Sequence, residues 1–196
     1  MAMNDEAAAL QFQPLTPERW GDFEALFGPK GAYGGCWCMW PRLRRKEFDA
    51  NSGAENKQAM RETVDCGEEP GLLAYSGGEP IGWVALAPRE KYALLEHSRT
   101  LKRVDDQPVW SIVCFVIDKR LRGRGMMAKL LTAAVEYAAR HGASIVEAYP
   151  VEPAGKLTGY SGFTGIASTF RRAGFVEVAR ASQQQPVMRY YIGEAQ

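Results

Sequence analysis

The chain has 196 residues, enough to bury a core of its own, and 46% of them are hydrophobic. With 24 basic against 23 acidic side chains the net charge is +1, a balance that gives no sign of nucleic acid as the main partner. No apolar run approaches the ~18 residues of a membrane span, and residues 1–7 hold no basic segment followed by an apolar one, so neither membrane insertion nor a secretory leader is expected.

Residues 1–8 read as a flexible tail and residues 9–196 as one domain. Residues 10–15, with Phe12, predict a first strand. Thr16 then caps a helix with Pro17 in its first turn, and Gly28-Pro29 stop it after Phe27. A loop over residues 31–45 precedes a helix near residues 55–66. Residues 72–75 and 81–86 flank Ser76-Gly77-Gly78-Glu79-Pro80 and predict a hairpin. An apolar run rich in β-branched residues, 109–117, predicts a strand. The helix expected over 126–141 carries Met126, Leu130, Leu131, Ala134, Tyr137 and Ala138 on one face and ends at Gly142. Residues 143–149 form another apolar strand, halted by Pro150. Strand, helix and strand make one β-α-β unit, right-handed with parallel strands. A short helix closed by Gly174 and strands over 175–181 and 186–192 complete the order. Four cysteines in a chain without a leader are expected to be reduced thiols of a cytoplasmic protein.

The segment between Ile117 and Met126 carries the most chemistry. A strand feeding a glycine-bearing loop at a helix start is an anion cradle, because the first helical N–H groups lack internal acceptors and the helix dipole adds positive charge. Gly123 and Gly125 let the backbone approach an anion, and Arg120, Arg122 and Arg124 raise the local potential. The spacing lacks the third glycine of a dinucleotide fingerprint and the Gly-Lys-Ser/Thr of a Walker loop. The plain alternative is a strand-to-helix turn with solvated arginines.

Arg122-Gly123-Arg124-Gly125 resembles the central motif of the GNAT superfamily of N-acetyltransferases, R/Q-x-x-G-x-G/A in its common R-G-x-G form. Arg120-x-x-Gly123-x-Gly125 fits the same pattern, and Met127 stands where Gly or Ala is usual. Residues 168–175, Ser-Thr-Phe-Arg-Arg-Ala-Gly-Phe, resemble the family's other recurring phrase, L-Y-x-x-x-G-F. The resemblance covers residues 70–192 and the N-terminal third only in outline. It implies a single α/β (α+β) domain with a mixed, mostly antiparallel sheet of six to seven strands. In that fold parallel strands 4 and 5 splay apart, and about four helices flank the sheet. It also implies transfer of an acetyl group from acetyl-CoA directly to a primary amine of a small molecule or peptide, without a metal. The coenzyme would lie on Phe115, Val116, Ile117, Arg122, Gly123, Arg124, Gly125, Met126, Met127 and Phe170. A main-chain N–H among residues 114–117 would polarise the acetyl carbonyl.

The chain departs from the family where protons move. Trp110 stands where some members carry a Glu, and Phe170 replaces the Tyr held to protonate the thiolate. Glu147, acting through water, and Tyr160 are the remaining catalytic candidates, with Tyr149 beside them; each has an ordinary structural alternative. A further alternative is that no protein base exists and the amine enters as its neutral fraction. Residues 31–42 hold two tryptophans, a tyrosine and two cysteines in a glycine-rich loop. Trp37, Met39, Trp40 and Tyr149 are candidates for lining an acceptor pocket, by stacking or cation–π contact. Hydrophobic packing is the alternative, and Cys36-x-Cys38 lacks the second ligand pair of a zinc site. Three functional classes follow: the acetyltransferase, a non-catalytic acyl-CoA-binding regulatory module, and a thiol- or metal-dependent regulator. No membrane partner is expected. The sequence leaves open whether the chain pairs into a homodimer through its last strands, as relatives often do.

Overall fold

The computed structural model describes residues 9–51, 53–153 and 162–193. The expected tail over residues 1–8 and the candidate Tyr160 lie outside the described residues. Among the described residues, seven strands form one sheet in the order β1-β2-β3-β4-β5-β7-β6. They are β1 (Gln11–Pro14), β2 (Gly71–Ser76), β3 (Glu79–Pro88), β4 (Trp110–Ile117), β5 (Ile145–Ala148), β6 (Val176–Ser182) and β7 (Gln185–Tyr191). The β4/β5 pair is parallel, and every other neighbouring pair is antiparallel. Periodicity thus placed every strand, with ends one or two residues from those expected.

Among the described residues, six α-helical segments cover the two faces. On one face lie α1 (Trp20–Phe27) and α3 (Gly53–Asp65), packing Phe23, Phe27, Met60 and Val64 onto Leu73, Trp83 and Ala85. On the other, α5 (Met126–Arg140) sets Leu130, Leu131, Ala134 and Ala138 on Leu72, Val84 and Ile112, joined by Phe170 of α6 (Ala167–Arg172). Two helices unforeseen in the sequence, α2 (Arg45–Ala50) and α4 (Ala93–Glu96), are too short to show a helical period. Thr16 does not cap. The first turn, Pro17–Arg19, is a 3₁₀ turn, and the Thr16 hydroxyl accepts from Arg19 Nη1 at 3.2 Å instead.

The sheet opens where it matters for function. β4 and β5 pair through Trp110↔Val146, Ser111↔Glu147 and Ile112↔Ala148, and then no further. On the other edge of β4, Ala85 pairs with Cys114 and Leu86 with Ile112, so Val113 is an extra residue, a β-bulge. Consequently Val113 and Cys114 both join the α1/α3 side of the core while Phe115 returns to the α5 side. A bulge bends its strand, and this one bends β4 at the point where β5 parts from it.

Candidate functional site

The floor of the opening is the last part of β4, and its far wall is the start of α5. Between them the Asp118 carboxylate accepts from the Arg120 N–H at 2.8 Å and organises a 3₁₀ turn, Lys119–Leu121. Gly123 and Gly125 follow with φ of 75° and 77°, left-handed values that favour glycine, and α5 begins at Met126. A Cβ built on either glycine would meet no atom within 4 Å, so both face open space rather than packed protein. Gly125 offers no side-chain cap, and the leading amides of Met126 and Met127 have no acceptor within the helix. Glycine turns, uncapped amides and the positive end of a helix dipole thus face one space.

That space is a cleft of about 1430 Å³. It exceeds the ~300–1000 Å³ usual for drug-sized ligands, which suits a long molecule. Phe115, Val116, Ile117, Arg122, Gly123, Gly125, Met126 and Met127 line it. Arg124 does not line it and is exposed. Phe170 does not line it either. That ring is fully buried, 6.1 Å from Phe115 and 5.2 Å from Phe175 between centroids, and belongs to the core. Ala32 and Tyr33 of the aromatic loop also line it, together with Lys119, Phe163, Thr169 and Arg172. The basic character is partly spoken for, since Arg120 binds Asp118 at 2.8 Å and Glu79 at 3.5 Å, and Arg122 Nε donates to the Ile117 carbonyl at 3.2 Å.

The proton-carrying candidates have other work. Glu147 is 1% exposed and bridges two buried guanidinium groups, accepting from Arg89 at 3.0 Å and from Arg189 at 2.8 Å. Tyr149 donates to the same carboxylate at 2.6 Å, and its hydroxyl oxygen also accepts from Arg89 Nη1 at 2.7 Å. Burial and the Glu147 charge push the Tyr149 hydroxyl far above its ordinary value. Arg89 further holds Glu96 at 2.9 Å, and Arg189 holds Asp105 at 2.6 Å. Neither Glu147 nor Tyr149 lines the cleft. The carboxylate rivets β5, β7 and the segment after β3, and the structure does not bring it to the cleft, where the relay was expected. Trp110 is half-buried, 6.0 Å from Tyr137 and 5.7 Å from His141.

The aromatic loop turns inward. Trp37 and Cys38 hold left-handed φ of 42° and 56°, costly for residues other than glycine. The Trp37 ring stacks on Phe27 at 5.8 Å, and a Cβ on Gly31 would meet Trp37 Nε1 at 2.3 Å. Met39 is buried in the same core, and Trp40 packs edge-on against Phe48 at 5.0 Å under Arg45. Cys38 donates to Cys114 across 3.5 Å and accepts from Trp83 Nε1 at 3.0 Å; burial, then the Cys114 hydrogen bond, push its thiol well up. None of Trp37, Met39, Trp40 and Tyr149, the expected acceptor lining, reaches this cleft: Met39, Trp40 and Tyr149 are packed as described, and Trp37 borders a separate hollow with Lys57 and Gly35. From that loop only Ala32 and Tyr33 reach the cleft, Tyr33 with 52% of its surface exposed. Among the described residues no group of three His, Cys, Asp or Glu side chains is placed to hold a metal ion.

A mixed sheet whose one parallel pair opens onto a helix N-terminus defines an α/β protein of the acetyltransferase kind. The model of the acetyltransferase (GNAT) family matches residues 40–160, and the chain belongs to that family. Comparison with curated proteins finds no match. Among solved structures, a GNAT-family acetyltransferase from Listeria monocytogenes 4b F2365 is similar at a TM-score of 0.58 and 8% identity, over 93% of this chain and 95% of that one. One from Streptococcus agalactiae 2603 reaches 0.56 at 11% identity, over 96% and 98%. The PaiA N-acetyltransferase from Thermoplasma acidophilum, solved in complex with coenzyme A, reaches 0.52 at 9% identity, over 93% and 99%. At such identities the likeness is one of fold, while family membership makes acyl transfer the general chemistry of the chain.

Proposed function

We propose that this protein transfers an acetyl group from acetyl-CoA to a primary amine of a small molecule or peptide. The observation that carries the proposal is the junction of two features in one cleft. The opened edge of β4 leads directly to the glycine turns and uncapped amides at the start of α5. The amides of Met126 and Met127 and the Gly123 and Gly125 turns would hold the diphosphate, with Lys119, Arg122 and Arg172 supplying charge. The β4 edge from Phe115 to Ile117 would carry the pantetheine amides and offer an N–H to the acetyl carbonyl. The similar PaiA enzyme, solved with coenzyme A, supports the reading.

Transfer requires a neutral amine to attack the acetyl carbon, and the thiolate to leave with a proton. Glu147 is locked between arginines, and Glu79 and Asp118, the carboxylates lining the cleft among the described residues, both meet Arg120. In this reading the amine enters already neutral. Its main binding determinant is the wall formed by Ala32 and Tyr33 beside the floor at Phe115. Those same locked side chains favour a second reading, a non-catalytic acyl-CoA-binding regulatory module. Calorimetric titration with desulfo-CoA, followed by thiol release from acetyl-CoA over an amine panel, decides. Heat with thiol release supports the enzyme, heat without release on any amine supports the binding module, and no heat refutes both.

A further inference from the structure

The slot between β4 and β5 is not empty of protein. Where the two strands part, residues 162–167 enter as a strap: a tight turn with the Gly165 N–H on the Gly162 carbonyl at 3.1 Å, then an extended Ile166. The Phe115 N–H donates to the Phe163 carbonyl at 2.7 Å. The Val151 N–H donates to the Gly165 carbonyl, and the Ala167 N–H to the Val151 carbonyl, each at 2.9 Å, so Ile166 pairs with Val151 as a parallel bridge. Gly165 is pressed onto the floor; a Cβ there would meet Phe170 at 2.5 Å and Phe115 at 3.3 Å. The Phe163 ring lies 5.7 Å from that of Tyr33 on the facing wall.

Successive residues of a strand aim their N–H groups at opposite edges. Asp118 donates to Ile81 of the β3 side at 3.0 Å, so Phe115 and Ile117 present theirs to the opening. Of these two donors Phe163 holds the one at Phe115, so a ligand amide laid along the edge from Phe115 to Ile117 competes with it. We propose that residues 162–167 are a built-in competitor of the coenzyme: they close the β4/β5 slot in the free protein and leave it when the coenzyme arm binds. This rests on the coenzyme reading above and adds its regulation. The apparent affinity is then the intrinsic one reduced by the fraction of molecules with the strap out. Anything that loosens the strap tightens binding.

Two measurements test it. Phe163→Ala removes the ring that braces the strap against Tyr33, and the Kd for desulfo-CoA is expected to fall about 3- to 10-fold. A Kd that rises, as truncating an ordinary contact residue gives, or that stays unchanged, overturns the strap. In the unmodified protein, hydrogen exchange with saturating desulfo-CoA is expected to quicken at the Val151 and Ala167 amides while it slows over residues 123–128. Protection over 123–128 with unchanged or slower exchange at Val151 and Ala167 overturns the strap and leaves the coenzyme site standing. No heat and no protection over 123–128 defeats the coenzyme site, and the strap as its competitor with it. The exchange measurement holds even where Phe163→Ala fails to fold.

Discussion

Replacing Gly125 by alanine isolates the backbone's part in holding the coenzyme. The residue sits at φ 77° immediately before α5, and its added Cβ would meet no atom within 4 Å. Crowding therefore contributes nothing, and the whole effect is conformational: an L-residue held in the left-handed region costs about 1–2 kcal/mol. Because the site is open, the turn relieves that cost by leaving the left-handed region, which swings the Met126 and Met127 amides off their common target. The penalty then falls on binding, as a Kd for desulfo-CoA raised about 5- to 30-fold. Any share that remains as strain lowers Tm by no more than about 8 °C in a chain of this size. Gly142 supplies the control. It lies at φ 79°, equally uncrowded, just beyond the other end of α5. Gly142→Ala is expected to lower Tm without moving the Kd, with calorimetry and thermal melts run on both variants. If Gly125→Ala binds within twofold of the unmodified protein while losing stability like Gly142→Ala, the turn is structural and the cradle argument fails.

Phe170→Tyr places a hydroxyl in a fully buried apolar site. Melts are expected to show a Tm loss of about 2–12 °C, from about 1–3 kcal/mol, with kcat unchanged; a raised kcat would return this position to catalysis. Glu147→Gln removes the charge between Arg89 and Arg189, and a loss of about 3–5 kcal/mol, or about 6–20 °C in Tm, is expected. A variant that melts normally yet loses activity and changes its pH profile would instead make Glu147 a base. Hydrogen bonds from Arg189, Arg171 and Arg180 hold Asp105, Glu152 and Glu177 respectively below their ordinary carboxylate values. Depressed folded values stabilise above the ordinary range of about 4 and lose that contribution as pH falls through them, so Tm is expected to decline below about pH 4.5 and stay flat from 6 to 8.

The fold was legible because its central unit is local. The apolar run of β4, the glycine turns and the one-sided helix α5 follow one another in the chain, and their periods differ clearly. Residues 115–127 were readable for the same reason. What the sequence concealed depends on partners far along the chain. Glu147 looks like a free carboxylate until Arg89 and Arg189, 58 and 42 residues away, are seen to close on it. The aromatic loop reads as a pocket wall by composition, but at its left-handed turn the Trp37 ring stacks on Phe27 and the Cys38 thiol meets Trp83. Phe170 shows a related limit: a motif position locates a residue on a helix, and packing decides which way its ring faces. Nothing in residues 162–167 advertised a strand-like segment, since its pairing partners lie on β4 and just after β5.

The trio Arg89, Glu147 and Arg189 carries a consequence for descent as well as for stability. Losing any one member strands a charge away from water, whereas exchanging all three for well-fitted apolar side chains is tolerable. Drift through single substitutions is therefore barred at these sites. Descendants should inherit the set intact or show it replaced wholesale, a joint pattern that would trace ancestry among chains too divergent to compare by percentage.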